Sequence, residues 1–399
     1  MSKTTNAPHL VTLILLSALG IIPINIFLPS LPAMAAEFGA GYGVVGLALA
    51  AYAAVSACLQ VVMGPLSDRF GRRPVILWGL AVFIVATIGC IMVSDVRTFL
   101  ALRMVQAVIA PTYAVALAAI RDTTSREDAA SRIGYVAMAW ALAPMLGPSL
   151  GGFLDQMFGW RASFWFLAIF GIGVFVLCWF DLRETNSNPS STLAEQFRAY
   201  PELLGSNRFW AYSLCMAFSI GAFYAFLAGA PLAAASFDLS PTTLGLYMGS
   251  ITVGFMLGSF IAGRFAHRFQ LTTMLVWGRM VACAGLLLGL VLWAAGVAHV
   301  WALFGPCMFA GLSNGLSMPA ANAGAMSVRP HLTGSAAGLA SAIAVAGGAA
   351  MASITGAVLT PDNARYGMLV VMLGSAAIAF AAALYAGRLE CASAAASLQ

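Results

Sequence analysis

The densest cluster of chemically active groups in the chain is Gly64-Pro65-Leu66-Ser67-Asp68-Arg69-Phe70-Gly71-Arg72-Arg73-Pro74. One carboxylate among three guanidiniums suits ion pairing and contact with helix termini, and Gly64 and Gly71 permit the tight backbone that such contacts need. Covalent chemistry has no comparable cluster. His9, His267, His299 and His331 are scattered, no nucleophile stands beside a base, and no metal-ligand spacing occurs. The seven cysteines form no CxxC pair, and all but Cys391 fall in apolar stretches, where they read as small buried hydrophobes. The residue types therefore predict conformational locking. No enzyme, metal site or cofactor is expected.

The elements that must position these groups follow from composition. Of 399 residues, 61% are hydrophobic and 8% charged, against roughly 25% charged in a soluble domain, so the apolar runs are read as membrane spans. They are continuous, without the alternation of barrel strands, which leaves α-helices as the spanning element. Spans are expected at 9–31, 43–65, 74–94, 98–120, 131–154 and 160–182, then at 208–231, 243–265, 272–294, 299–320, 331–357 and 366–388. The first is read as a retained helix, since no small-residue cleavage site follows it. Residues 183–207, with the polar run 185–192 and a short amphipathic stretch at 193–204, separate the six-span halves 1–182 and 208–390; 391–399 is expected to be a disordered tail.

Charge sets the orientation. With both termini inside, the cytoplasmic side carries Lys3, Arg69, Arg72, Arg73, Arg121, Arg126, Arg132, Arg183, Arg198, Arg208, Arg264, Arg268, Arg329 and Arg388, against Arg97, Arg161 and Arg365 outside. Positive residues collect on the cytoplasmic side of membrane proteins, so the net charge of +5 reports topology and not nucleic-acid binding. Arg103 and Arg279 remain inside spans. Arg103 stands one helical turn from Gln106 and is expected to face the bundle interior. An arginine keeps its proton, so its expected role is to bias neighbouring protonation or to hold backbone carbonyls. Arg279, nearly two turns into its span, is expected to snorkel to the interface. The halves also repeat weakly, Arg69-Phe70-Gly71-Arg72-Arg73 against Arg264-Phe265-Ala266-His267-Arg268.

The Gly64–Pro74 run resembles the loop signature G-x-L-x-D-R-x-G-R-R of the major facilitator superfamily at every defined position. Gly134, Ala143, Gly147-Pro148 and Gly151-Gly152 resemble the antiporter signature G-x8-G-x3-G-P-x2-G-G of its drug:proton antiporter branch, with Ala143 in place of the second glycine. Arg103-x-x-Gln106-Ala107 resembles R-x-x-Q-G. Asn25-Ile26-Phe27-Leu28-Pro29-Ser30-Leu31-Pro32 resembles the D-x-Y-L-P-A-x-P segment of the bicyclomycin and chloramphenicol resistance group, with Asn25 and Phe27 where Asp and Tyr are usual. Met318–Ala323 and Arg329-Pro330-His331 through Gly338 look like that group's tenth and eleventh spans, and Gly159-Trp160-Arg161 fits its loop pattern.

The resemblance implies an all-α membrane protein with twelve transmembrane helices in two six-helix halves, the major facilitator fold. The implied activity is alternating-access export of small amphipathic compounds such as antibiotics, with proton antiport, by a monomer in the bacterial inner membrane. Gating falls to the loop and antiporter signatures, and coupling to Arg103, Gln106, Asp155 or His331, with Asp155 first because it lies just past the antiporter signature. Depth and polarity suggest a cavity lined by Asn25, Phe27, Tyr52, Gln60, Tyr113, Met138, Trp140, Phe223, Tyr224, Tyr247, Asn314 and Asn322. The alternative is an uncoupled facilitator or uptake carrier for a small metabolite. All fourteen acidic residues fall in loops or near helix ends, and the amide of Asn25 cannot titrate. Transport in proteoliposomes separates a carrier from a receptor.

Overall fold

A computed structural model describes residues 8–124, 126–185, 200–265, 270–329 and 332–396. Among the described residues the helices group into twelve spans. The first is broken: Leu10–Asn25, a 3-10 turn at Leu28–Ser30, then Leu31–Glu37. The second and third are Tyr42–Phe70 and Arg72–Met92. The fourth is broken too, Val96–Gln106 and Thr112–Thr123 around a 3-10 turn at Ala107–Ile109. Pro29 and Pro111 lie at these breaks, where a ring in place of an N–H cannot continue the preceding helix. The fifth and sixth are Arg126–Phe158 and Arg161–Asp181. After a short helix at Tyr200–Leu204 come Asn207–Ala234, Pro241–Phe265, Leu271–Ala294, Val300–Ser327, Thr333–Val358 and Ala364–Ala396.

Ten of these spans are long and apolar enough to cross a bilayer by length and composition alone. Spans five and ten, at 33 and 28 residues, are long enough as well. Span ten carries Gly, Ser, Asn and Pro where its neighbours carry Leu and Val, because it packs among spans seven, eight, nine and eleven and presents little surface to lipid. Trp78, Phe180, Phe260 and Trp277 are instead largely exposed on the outer faces, as suits side chains that meet acyl chains. The chain is a multi-pass membrane protein.

The packing repeats with a shift of six spans. In the N-terminal half, span three packs on six, one on five, two on four, three on four and one on six. In the C-terminal half the same pairings recur as nine on twelve, seven on eleven, eight on ten, nine on ten and seven on twelve. The halves meet through spans five with eight and two with eleven, pairs that exchange under the same shift. One boundary differs from expectation. The last helix continues to Ala396, through the start of the expected tail at 391, because its end is mostly alanine, the strongest helix former. The linker from 186 to 199, with most of its amphipathic stretch, lies outside the described residues.

Candidate functional site

Two buried arginines organise the interior. Arg103 is fully buried in span four. Its Nη1 donates to Gln106 Oε1, and its Nη2 donates to the carbonyls of Pro23 at 3.0 Å and Ala48 at 3.4 Å. Gln106 Nε2 in turn donates to Thr87 Oγ1 at 2.6 Å. The guanidinium sits over the rings of Phe27 at 4.5 Å, Tyr52 at 4.6 Å and Phe164 at 5.8 Å. Spans one, two, three, four and six thus converge on one cation. Arginine suits this place because a planar, delocalised, weakly hydrated charge can stack and fork at once. The Pro23 carbonyl lies near the break in span one, and Phe27 sits in that break, so the break itself helps to build the cage.

Arg279 departs from the expected snorkelling. It is 2% exposed and points inward from span nine. Its Nη1 donates to Asn314 Oδ1 at 2.9 Å, while its Nη2 donates to Ser317 Oγ and, at 3.3 Å, to the Ser313 carbonyl. Asn314 Nδ2 then reaches the Ser219 carbonyl in span seven at 3.3 Å. Hydrogen-bond partners on a neighbouring helix offset the burial of a charge better than a stretched side chain can.

The seam between the halves is built from small residues. Gly43 and Gly356 face each other so closely that a Cβ on Gly43 would stand 2.5 Å from the Gly356 oxygen. Gly152 lies against the Pro241 carbonyl, and Gly245 against the Pro148 carbonyl, each without room for a Cβ. Ser149 Oγ donates to the Gly245 carbonyl at 3.3 Å, and Tyr42 Oη to the Ala228 carbonyl at 2.7 Å. These contacts lie at the end of the bundle remote from the Gly64–Pro74 loop. The glycines of span five divide their work: Gly152 and Pro148 touch the opposite half, while Gly151 lies against the Ile26 carbonyl and Gly147 against Asn25 Cβ within their own half.

At the loop end, Gly71 has φ 96° and turns the chain from span two into span three. The backbone N–H groups of Arg72 and Arg73 donate to Glu184 at 2.9 and 3.2 Å. A Cβ on Gly71 would collide with that carboxylate. Glu184 therefore sits where the N-terminus of span three attracts an anion. Arg72 also pairs with Asp122 at 3.3 Å and donates to Ser67 Oγ at 2.5 Å. Arg73 donates to the Trp179 carbonyl at 2.9 Å, and Arg69 is exposed. Gly64 and Asp68 lie in the last part of span two, and their side-chain surroundings are outside the described residues. Sequence alone had not marked Glu184; its place two residues after an apolar run was the available signal.

The suggested lining residues separate into groups. Asn25 and Phe27 are fully buried, Phe27 under Arg103, so neither faces an open cavity. Tyr52, Tyr224 and Asn314 are buried. Gln60, Tyr113, Phe223, Tyr247 and Asn322 are partly exposed, and the Tyr247 ring stacks on Phe304 at 5.2 Å. The side-chain surroundings of Gly134, Met138 and Trp140 in span five are outside the described residues, as is His331 just before span eleven. Asp155 lines a cavity of about 250 Å³ at the seam, together with Pro29, Pro32, Pro231, Asp238 and Pro241. Trp160 and Arg161 both donate to Glu37, closing the outer end of the N-terminal half. Among the described residues no group of three His, Cys, Asp or Glu side chains is placed to hold a metal.

The sequence matches the profile of the Major Facilitator Superfamily over residues 13–353. It is 30% identical over 387 residues to Multidrug resistance protein D of Escherichia coli strain K12, covering 94% of this chain and 95% of that one. It is also 30% identical to a Chloramphenicol resistance protein of Pseudomonas aeruginosa, over 80% of this chain and 76% of that one. Its fold is similar to the inward-facing, unoccupied structure of a bacterial homolog to the human lysosomal transporter Spinster, at TM-score 0.76 and 17% identity, covering 95% and 96% of the two chains.

Proposed function

Because the chain belongs to the Major Facilitator Superfamily, a family of membrane transporters, we propose that it exports small amphipathic compounds by alternating access coupled to proton antiport. The observation that carries this reading is the seam: tight contacts between halves gather at one end, and the other end holds the charged loop of Arg72, Asp122 and Glu184. With the termini cytoplasmic, as the positive residues favour, this arrangement is closed to the outside. The relatives named for multidrug and chloramphenicol resistance support drugs as the cargo.

The coupling group we favour is Asp155, which lines the seam cavity together with residues of the other half, Pro231, Asp238 and Pro241 among them. Asp155 is partly buried where the halves meet, so taking up a proton there removes the cost of carrying a bare charge into the closed seam. The loop supplies the second conformational lock. Asp68→Asn is expected to lower transport at least tenfold while the protein still inserts, since the lock needs the charge more than the fold does. Initial uptake rates at matched expression check this, and a wild-type rate removes Asp68 from the mechanism.

The competing reading is an uncoupled facilitator. It is favoured by Asn25, an amide at the first-span position where the resembled group carries an acid.

A further inference from the structure

Tyr42 opens span two at the outer end, and its hydroxyl crosses to the opposite half. Its Oη donates to the Ala228 carbonyl of span seven at 2.7 Å, and the backbone N–H of Leu232 is directed at the same hydroxyl oxygen. In an uninterrupted α-helix those two backbone groups serve each other, because an N–H pairs with the carbonyl four residues before it. The hydroxyl therefore bridges one rung of span seven's own ladder. Pro231, inside that span, makes room for it. Proline has no N–H for the Leu227 carbonyl and its ring crowds the preceding turn, so the rungs beside it open and accept a side chain.

The neighbours hold Tyr42 in reach. Gly43 meets Gly356 of span eleven backbone to backbone, and span eleven packs along span seven. A side chain at 43 would hold the tyrosine away from Ala228. The other seam hydrogen bond, from Ser149 Oγ to the Gly245 carbonyl, is longer at 3.3 Å and joins spans five and eight. Pro231 also lines the cavity that holds Asp155, so the bridged rung borders the proposed coupling group.

Resting on the alternating-access reading, we infer that Tyr42 is a positioning residue that latches the outer seam by splicing its hydroxyl into the hydrogen-bond ladder of span seven at Pro231. When the outer end opens, Tyr42 leaves with its own half, and Ala228 and Leu232 bond each other directly. Hydrogen bonds are exchanged in the transition, so no bare backbone group is left in an apolar interior. The closed state keeps the advantage of one net hydrogen bond, about fivefold in population.

The test measures the distance between spin labels at Arg97 and Asp362, exposed at the outer ends of opposite halves. It uses purified full-length protein whose exposed Cys58 and Cys391 are replaced by serine. Tyr42→Phe removes one oxygen and keeps the ring, and it is expected to raise the ratio of open to closed seam about fivefold. Pro231→Ala restores the missing N–H, so span seven can close its ladder alone. In that background Tyr42→Phe is expected to change the ratio by less than about twofold, because the two residues act through one rung. An unchanged ratio in Tyr42→Phe overturns the latch, and so does an equal effect of Tyr42→Phe with and without Pro231, the result for a ring that only packs. A single seam distance in every variant, with and without chloramphenicol and at acid and neutral pH, would defeat alternating access itself and the latch with it.

Discussion

Gly151→Leu is expected to abolish transport and to lower the unfolding temperature of the purified protein by many degrees. The reason is a backbone-to-backbone contact. A Cβ on Gly151 would overlap the Ile26 carbonyl, and neither partner is a flexible side-chain tip that could swing aside. Ile26 also lies at the break of span one, between Pro23, whose carbonyl holds Arg103, and Phe27, which stacks under it. Displacing that segment therefore pulls on the arginine cage. Gly152→Leu should behave differently. Its obstacle is the Pro241 carbonyl of the opposite half, so the N-terminal half can keep its packing while the outer seam is wedged open. Transport should be lost in both variants. Thermal stability should fall mainly in Gly151→Leu, and labelling of a cysteine placed in the outer seam should rise mainly in Gly152→Leu. Equal stability losses would mean that span five has no such division of labour.

Arg103→Ala is expected to reduce transport more than tenfold and to destabilise the N-terminal half by about 2–5 kcal/mol, the range for a large-to-small change in a packed interior. Truncation removes hydrogen bonds to the Pro23 and Ala48 carbonyls and to Gln106, and it leaves the space between Phe27, Tyr52 and Phe164 empty. Arg103→Lys keeps the charge but offers no planar fork to reach several partners at once, so it should recover only part of the loss. Transport rates and thermal unfolding of the two variants, measured side by side, check this. Full recovery in Arg103→Lys would reduce the role of the cage to charge alone.

The spans were legible because the bilayer demands long apolar helices, and a sequence can meet that demand in few ways. The breaks in spans one and four were less so. Pro29 and Pro111 mark them, but an apolar run across a break has the composition of an unbroken one. Arg279 was misread because depth along a helix does not reveal which neighbour faces it; Ser313, Asn314 and Ser317, one turn apart on span ten, become partners only once spans nine and ten are packed. Gly147, Gly151 and Gly152 announced close contact by spacing, yet their partners, Asn25, Ile26 and Pro241, are set by tertiary structure. Glu184 was passed over since an acid after a span is ordinary. Its significance comes from the helix N-terminus that folding brings beneath it.

The most direct test of proton-coupled efflux is accumulation of a neutral drug such as chloramphenicol in proteoliposomes holding the purified protein, with and without an acid lumen. Accumulation above equilibrium is predicted only while the pH gradient lasts. In Asp155→Asn, uphill accumulation should vanish while downhill exchange of drug continues. Equilibration of the drug to the same level with and without the gradient would contradict antiport and leave an uncoupled facilitator.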